Sequence, residues 1–175
     1  MRLFIAINFN NDTRSRLIGL CEQLRLKAAR GRFSLPENLH LTLAFLGECD
    51  AKNTADAKAA LNSTSFFPID IVIDRVGRFK RDDSRKTESG EIWWAGVREN
   101  KQLSALQSEL IERLTFVGFS LDKRKYSPHI TLAREVVTEQ SPWQIESFGE
   151  RVGQIDLMKS ERIGGKLVYT SIFRR

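Results

Sequence analysis

Two histidines are the residues of this sequence best suited to catalysis, and each is followed two positions later by a threonine. The segments are His40-Leu41-Thr42-Leu43 and His129-Ile130-Thr131-Leu132, and the chain has no other histidine. An imidazole titrates near neutral pH, so one of the pair can act as a base while the other acts as an acid. Two threonine hydroxyls beside them can donate hydrogen bonds to a phosphate oxygen. These residue types suit in-line displacement at a phosphodiester without a metal ion.

Both histidine segments have the alternating pattern of a β-strand. Positions i and i+2 of a strand share one face of the sheet, so the histidine and threonine of each segment should point to the same side. The apolar residues between them should then point into a core. The alternative is that both histidines are ordinary strand residues satisfied by hydrogen bonds, but their shared pattern favours a common site.

A shift of 89 residues superimposes one histidine segment on the other without a gap. The same shift aligns Phe4 with Trp93 and repeats the order strand, helix, histidine-bearing strand. We therefore predict two related β-α-β halves, about 3–46 and 92–135. Each half is too small to bury a good core alone, so we expect a single bilobal domain over residues 1–175.

Hydrophobic periodicity and turn residues predict a mixture of strands and helices. Strands are expected at 3–9, 39–46, 66–76, 92–97, 129–134, 152–158 and 166–173, and helices at 12–30, at 52–62 and after a cap at Asn100. The polar segment from Arg78 to Gly90 is expected to be a loop. This order of elements is typical of an α+β fold.

The composition excludes several other classes of protein. Apolar residues make up 41% and charged residues 29%, which is typical of a folded globular chain. Cys21 and Cys49 are too few and too widely separated to build a usual zinc site with two histidines. No apolar run is long enough for a membrane span or a secretory signal, and no phosphate-binding glycine-rich loop occurs. We expect a cytoplasmic monomer with no cofactor.

The charge balance favours an anionic partner. Lys and Arg number 28 against 22 Asp and Glu, which gives a net charge of +6. RNA is one such partner, although many basic proteins bind no nucleic acid.

Five stretches distributed along nearly the whole chain follow the pattern of one family, in the family's order. They are RLFIAI at 2–7, PENLHLTLAFLG at 36–47, IWWAGV at 92–97, YSPHITLAR at 126–134 and SERIGGKLVYTSI at 160–172. By these stretches the sequence resembles the two-histidine phosphoesterase superfamily, and most of all the RNA 2′,3′-cyclic phosphodiesterases, also described as 2′-5′ RNA ligases. The resemblance implies two antiparallel sheets around a central cleft. It also implies hydrolysis of a terminal 2′,3′-cyclic phosphate to a 2′-phosphate, without metal or nucleotide cofactor.

The resemblance also implies a role for each site residue. His40 would protonate the leaving ribose O3′ and His129 would activate water, although the two halves are so alike that these roles can be exchanged. Thr42 and Thr131 would hold the non-bridging phosphate oxygens. Arg134 would add a cation, but on an ideal strand it faces away from the histidines and needs a twist to reach the cleft.

Aromatic residues near the two histidine strands are candidates for contacts with a base or ribose. Phe4, Trp93 and Tyr126 are the candidates, since an exposed ring can stack on a nucleobase. Core packing is the alternative for each of them. Because neighbouring strand residues alternate, at least one of Trp93 and Trp94 must face the core.

Two basic segments are further candidates for contact with an RNA backbone. One is the loop 78–90, where the family usually has a shorter turn, and the other is Lys123-Arg124-Lys125 before the second histidine strand. A solvated surface loop is an equally good interpretation of the first.

Three functions remain open from the sequence. The first is a metal-independent phosphodiesterase acting on RNA ends or nucleotide cyclic phosphates, with 2′-5′ ligation as its reverse reaction. The second is an RNA-end binding module without turnover. The third is the same chemistry on another cyclic phosphate or on a 2′-5′ linkage.

Overall fold

The computed structural model describes residues 1–79, 90–122 and 124–175. In these ranges the chain forms nine strands and three α-helices. The strands are β1 (Arg2–Asn8), β2 (Ala28–Phe33), β3 (His40–Glu48), β4 (Ile69–Phe79), β5 (Glu91–Val97), β6 (His129–Thr138), β7 (Trp143–Val152), β8 (Asp156–Ile163) and β9 (Lys166–Arg174). The helices are α1 (Asn11–Arg25), α2 (Ala51–Ser63) and α3 (Lys101–Phe116). The predicted α+β class is confirmed.

Each helix begins at a polar side chain that accepts a hydrogen bond from a backbone amide of the first turn. Asn10 caps α1, Asp50 caps α2 and Asn100 caps α3, with donor–acceptor distances of 2.7–3.0 Å. Such caps satisfy one of the amides that a helix start leaves without a partner. The cap at Asn100 was predicted from the sequence.

The strands form one antiparallel sheet made of two four-stranded halves. Its order is β7-β4-β5-β6-β3-β1-β8-β9, and β2 pairs separately with β6. The halves meet at the two histidine strands, β3 and β6, whose register consists of the single pair Leu41 and Ile130. This arrangement confirms the bilobal, pseudo-two-fold fold predicted above. The two expected sheets are joined into one at this narrow junction.

The helices are exchanged between the halves. Helix α1 follows β1 but packs against β2, β6 and β7, whereas α3 follows β5 but packs against β3. A side chain of each helix reaches the opposite histidine strand: Cys21 Sγ lies 3.6 Å from the carbonyl of Leu132, and Gln107 Nε2 lies 3.4 Å from that of Leu43. The exchange covers the apolar side of both histidine strands and leaves their other side open.

A matching irregularity interrupts both histidine strands. Against β1, Thr42 pairs with Ala6 and Ala44 pairs with Ile5, so Leu43 between them has no partner. Strand β6 has the same irregularity at Leu132. This extra residue is a β-bulge, which changes the face on which later side chains lie.

The bulges decide where two later side chains point. Phe45 on β3 and Arg134 on β6 are aligned by the shift of 89 residues, and both are exposed just beyond a bulge. Because the bulge changes the alternation, both return to the face that carries the histidines. The bulge therefore supplies the departure from an ideal strand that Arg134 needs to reach the cleft. Its role in holding phosphate stays a prediction.

Three sequence-based boundaries also differ from the structure. The helix predicted at 12–30 ends at Arg25, since residues 28–33 form β2 on the edge of β6. The strand predicted at 152–158 is instead the end of β7, a short irregular segment at 153–155 and the start of β8. Strand β4 runs from Ile69 to Phe79, later than expected, because β5 and β7 extend the ladder on both of its sides.

Within the ranges that the structure describes, no helix is long and apolar enough to cross a membrane.

Candidate active site

The two histidines lie next to each other across the junction of the halves. Leu41 and Ile130 are paired there and are both fully buried, so the residues on either side of them project from the opposite face. Continuing this antiparallel register places each histidine opposite the threonine of the other strand. The histidines are then diagonal neighbours, and diagonal neighbours on paired strands lie roughly 7–8 Å apart. A phosphate group fits between two imidazoles at this spacing.

A backbone carbonyl fixes the same tautomer in both histidines. Nδ1 of His40 lies 2.8 Å from the carbonyl of Asn38, and Nδ1 of His129 lies 2.7 Å from that of Ser127. A carbonyl oxygen only accepts, so each Nδ1 carries the proton and donates it. The remaining nitrogen, Nε2, is left to exchange a proton with a ligand in both halves.

The hydroxyl of Thr42 lies beside the reactive nitrogen of His40. Its Oγ1 is 3.0 Å from Nε2 of His40. In the neutral tautomer this nitrogen is an acceptor, so the threonine donates the hydrogen bond. Thr42 therefore has a donor at the place where a phosphate oxygen would approach the imidazole.

Burial favours the neutral form of both imidazoles. Burial and the positive charge of Arg134 together lower the pKa of His40 to about 4, against the opposing effect of the hydrogen bond to Asn38. Burial also lowers the pKa of His129, and Arg134 again adds to the effect. The unliganded site is thus neutral at its histidines and cationic at Arg134. An anionic ligand would favour protonation of either imidazole.

Two aromatic rings flank each histidine. The distances between ring centroids run from 4.8 to 6.2 Å, and the pairs are His40 with Phe4 and Tyr169, and His129 with Phe79 and Trp94. These rings exclude water from the sides of the imidazoles and account for their burial. Of the four, Phe4 was named as a candidate contact from the sequence, and Trp94 was considered together with Trp93.

Trp93 does not reach the site. It is fully buried and packs against Trp143, with ring centroids 5.8 Å apart. The prediction of a ligand contact at Trp93 is wrong, and its neighbour Trp94 lies beside His129 instead. The shift of 89 residues aligns Ala6 with Ala95, but the structure gives the place of Ala6 to Trp94. Thr42 pairs with Ala6 on β1, whereas Thr131 pairs with Trp94 on β5.

Arg134 and Tyr126 were both predicted to contact the ligand, but only Arg134 projects into the site. Burial raises the pKa of Tyr169, and the charge of Arg134 opposes this rise. The same charge adds to the lowering of the pKa values of both histidines, so the guanidinium lies on the site face. The hydroxyl of Tyr126 instead donates to the carbonyl of Thr42 at 3.0 Å. Tyr126 thereby ties the segment before β6 to the opposite histidine strand.

A buried carboxylate behind His40 was missed by the sequence analysis. Asp156 is fully buried and accepts hydrogen bonds from Asn8 Nδ2 at 2.9 Å, Ser171 Oγ at 2.6 Å and Arg174 Nε at 2.8 Å. Asn8 is the strand partner of His40. The network therefore fixes the strands next to His40. In the sequence, the only indication of this network is a single acidic residue, Asp156, at the start of an apolar strand.

The structure describes only part of the two basic segments. Residues 80–89 of the loop 78–90, and Lys123, lie outside the described residues. Arg78 pairs with Glu91 at 2.9 Å, and Arg124 pairs with Asp122. These two cations are already neutralised by carboxylates.

Both cysteines are buried free thiols. Among the side chains that the structure describes, no three of His, Cys, Asp and Glu are grouped to hold a metal ion.

Comparison with protein families and with curated proteins gives consistent matches. The LigT like phosphoesterase family matches residues 7–87. The chain is 32% identical to the RNA 2′,3′-cyclic phosphodiesterase of Archaeoglobus fulgidus, over 86% of this chain and 85% of that protein. It is 33% identical to the protein of the same name from Thermotoga maritima, over 77% and 70%.

Solved structures match over nearly the whole chain. The crystal structure of Escherichia coli LigT complexed with 3′-AMP aligns with a TM-score of 0.84 and 26% identity, covering 99% of this chain and 96% of that one. The same protein complexed with NADP⁺ aligns with a TM-score of 0.77 and 28% identity, covering 99% and 95%.

Proposed function

The chain belongs to the LigT-like phosphoesterase family, and from this membership we propose that it hydrolyses terminal 2′,3′-cyclic phosphates of RNA to 2′-phosphates. The observation that carries the proposal is the matched pair of imidazoles, each with Nδ1 held by a carbonyl and Nε2 left to react. The names of the curated relatives support RNA as the substrate. We propose that this hydrolysis needs neither a metal ion nor a cofactor.

In the proposed mechanism, the cyclic phosphate lies between the two imidazoles. His129 Nε2 takes a proton from water as the water oxygen forms a bond to phosphorus. The bond from phosphorus to O3′ breaks in line, and His40 donates its Nε2 proton to that oxygen. Thr42, Thr131 and Arg134 hold the non-bridging oxygens and stabilise the charge that grows on them. With a 5′-hydroxyl in place of water, the same steps would break the bond from phosphorus to O3′ and form a 2′-5′ linkage.

The low pKa of His40 places one condition on this mechanism. At neutral pH the free imidazole is unprotonated, so the proposed acid must gain its proton as the anionic substrate binds. The same feature favours a second candidate function, an RNA-end binding module that holds phosphate without turnover. Formation of product separates the two functions.

The test is hydrolysis of a nucleoside or oligonucleotide 2′,3′-cyclic phosphate in the presence of EDTA, with the product identified as a 2′- or 3′-phosphate. We expect a 2′-phosphate, and we expect His40→Ala and His129→Ala each to remove most of the activity. General acid–base catalysis by one group is worth about 10²–10⁴-fold. Circular dichroism of each variant shows whether it is folded. Full turnover by either folded variant would contradict the mechanism, and binding without product would favour the second function.

A substrate with sulfur in place of the leaving O3′ assigns the two roles. A thiolate leaves without a proton, so a variant that lacks the acid should recover activity on this substrate, whereas one that lacks the base should not. We expect recovery for His40→Ala. Recovery for His129→Ala alone would show that His129 is the acid and His40 is the base.

A further inference from the structure

Tyr169 lies beside His40, but the proposed mechanism gives its hydroxyl no role. The residue belongs to β9, the outermost strand of its half, yet its ring contacts Phe4 of β1 and His40 of β3. The ring centroids lie 4.9 Å from Phe4 and 5.2 Å from His40, and both contacts are edge-on. The side chain therefore leans across the sheet towards the histidines.

The hydroxyl of Tyr169 is available to a ligand. Within the part of the chain that the structure describes, it makes no hydrogen bond, and the side chain is only half-buried. Burial raises the pKa of Tyr169, although the charges of Arg134 and Arg2 oppose the rise, so the hydroxyl keeps its proton at neutral pH. It can therefore donate one hydrogen bond.

The charge of Arg134 indicates where this hydroxyl points. Arg134 lies across the junction on β6, and its charge acts on Tyr169 as well as on both histidines. Because Arg134 returns to the histidine face just beyond its bulge, a hydroxyl near its charge lies over the cleft. Tyr169 and Arg134 thus approach the space between the two imidazoles from opposite halves.

The half that carries His129 has a ring of the same geometry but without a hydroxyl. Phe79 of β4 stands edge-on to His129, with the centroids 5.0 Å apart and the planes at 85°. Tyr169 stands against His40 at 5.2 Å and 81°. The other ring beside His129 is Trp94, whose indole nitrogen is buried. The phenol therefore adds a donor on one side of an otherwise paired site.

We propose that Tyr169 is a further catalytic residue, whose hydroxyl donates a hydrogen bond to one non-bridging oxygen of the phosphate, the oxygen that Arg134 also holds. A donor aimed at this oxygen stabilises the charge that grows there in the transition state. Since Phe79 offers no such donor, the two non-bridging oxygens meet different surroundings. The inference rests on the proposed function and adds to it a distinction between the two faces of the phosphate.

Sulfur in place of one non-bridging oxygen tests this contact. A nucleoside 2′,3′-cyclic phosphorothioate exists as two isomers, with sulfur at one position or the other, and sulfur accepts a hydrogen bond more weakly than oxygen. Tyr169→Phe should lower kcat/KM by roughly 10- to 150-fold for the isomer that keeps oxygen at the hydroxyl, the worth of one hydrogen bond to a charged acceptor. The other isomer should change little, so the ratio of the two shifts.

Phe79→Leu is the matched control, because it disturbs an edge-on ring that has no hydroxyl to lose. It should lower kcat/KM for both isomers by the same factor, as a purely structural change does. Circular dichroism shows whether each variant is folded. An equal fall for both isomers in Tyr169→Phe, or no fall for either, would overturn the proposal. An equal shift of the ratio in Phe79→Leu would overturn it as well.

Failure of the proposed function is recognised separately. If the wild type does not open the unmodified cyclic phosphate, the hydrolysis is disproved, and the two isomers then serve as ligands that are not consumed. Tyr169→Phe should raise the dissociation constant of one isomer and leave that of the other. Equal changes in the two dissociation constants would remove Tyr169 from the phosphate site. The same comparison applies if the wild type opens the unmodified phosphate but neither isomer.

Discussion

At each histidine, the carbonyl two residues earlier decides which ring nitrogen can react. Asn38 and Ser127 supply these carbonyls at 2.7–2.8 Å. The alternation of His-x-Thr predicted which way the two imidazoles face, because the apolar neighbours must be buried. It did not predict the direction of Arg134, which depends on a bulge that exists only once strands are paired. It also did not predict the choice of Trp94 over Trp93, which depends on the register of β5 against β6. Asp156 was missed because its three hydrogen-bond donors are distant in sequence or lie at the chain end.

The buried imidazole of His40 should make the stability of the protein depend on pH. Its pKa falls from 6.5 in the unfolded chain to about 4 in the folded one, so between these values only the unfolded chain binds the proton. Unfolding is therefore favoured as the pH falls from 6.5 to 4, by at most about 3 kcal/mol from this residue. Urea unfolding of the wild type and His40→Asn across this range measures the effect. We expect a smaller acid-dependent loss in the variant, and parallel curves would contradict it.

The same shifts should move the pH optimum of catalysis. A working free enzyme needs one histidine protonated and the other neutral, and the pKa values of both are lowered. The profile of kcat/KM for a mononucleoside cyclic phosphate should then be bell-shaped, with its maximum below pH 6.5. An optimum on the alkaline side would contradict the neutral state described for the unliganded site.

At the scale of elements, close approach between strands positions the rings around His129. Strand β4 carries Gly77 directly opposite Trp94 of β5, and a Cβ at Gly77 would overlap Cη2 of that indole. The absent side chain lets Trp94 lie flat across β4 and reach Phe79, 5.2 Å away between centroids. The glycine is thus required by packing rather than by its backbone conformation.

Gly77→Ala should therefore displace Trp94. We expect a loss of about 1–3 kcal/mol in the free energy of unfolding, typical of an overpacked site, together with lower activity. Gly19→Ala is the matched control, since a Cβ at Gly19 in α1 has no atom within 4 Å. That change should stabilise the helix by roughly 0.5–1 kcal/mol. Equal effects of the two changes on denaturant midpoints would argue against the contact with Trp94.

The elements that the sequence failed to predict are edge strands. Strand β2 (AARGRF) and strand β7 (WQIESFGERV) lack a continuous apolar face, and each pairs along one side only in the described sheet. Their pairing comes from an existing neighbour, β6 or β4, rather than from their own composition. Central strands such as β1 and β5 were predicted well because burial on both faces makes them apolar.

At the scale of the whole molecule, the exchanged helices make each half depend on the other. Helix α1 buries Leu17 while covering strands of the second half, and α3 buries Leu106 while packing against β3 of the first. Neither half can keep its apolar face covered if the other unfolds. The boundaries of the half-repeats, about 3–46 and 92–135, stay a prediction.

This interdependence predicts a single unfolding transition. All three tryptophans, at 93, 94 and 143, lie on β5 and β7, in the half of the sheet that carries His129. Their fluorescence therefore reports that half, while far-ultraviolet circular dichroism reports both halves. The two signals should coincide in urea. Leu17→Ala, in the first part of the chain, should lower the free energy of unfolding by about 2–5 kcal/mol and shift both urea midpoints together. Separate transitions would show that the halves unfold independently.

The matched bulges at Leu43 and Leu132 have a consequence for polarity. A cleft with perfect two-fold symmetry would accept a strand of RNA in either direction. The bulges present one side chain from each half at equivalent positions, and these are a phenylalanine and an arginine. Because these two side chains differ in size and charge, the duplicated frame has a distinguishable head and tail.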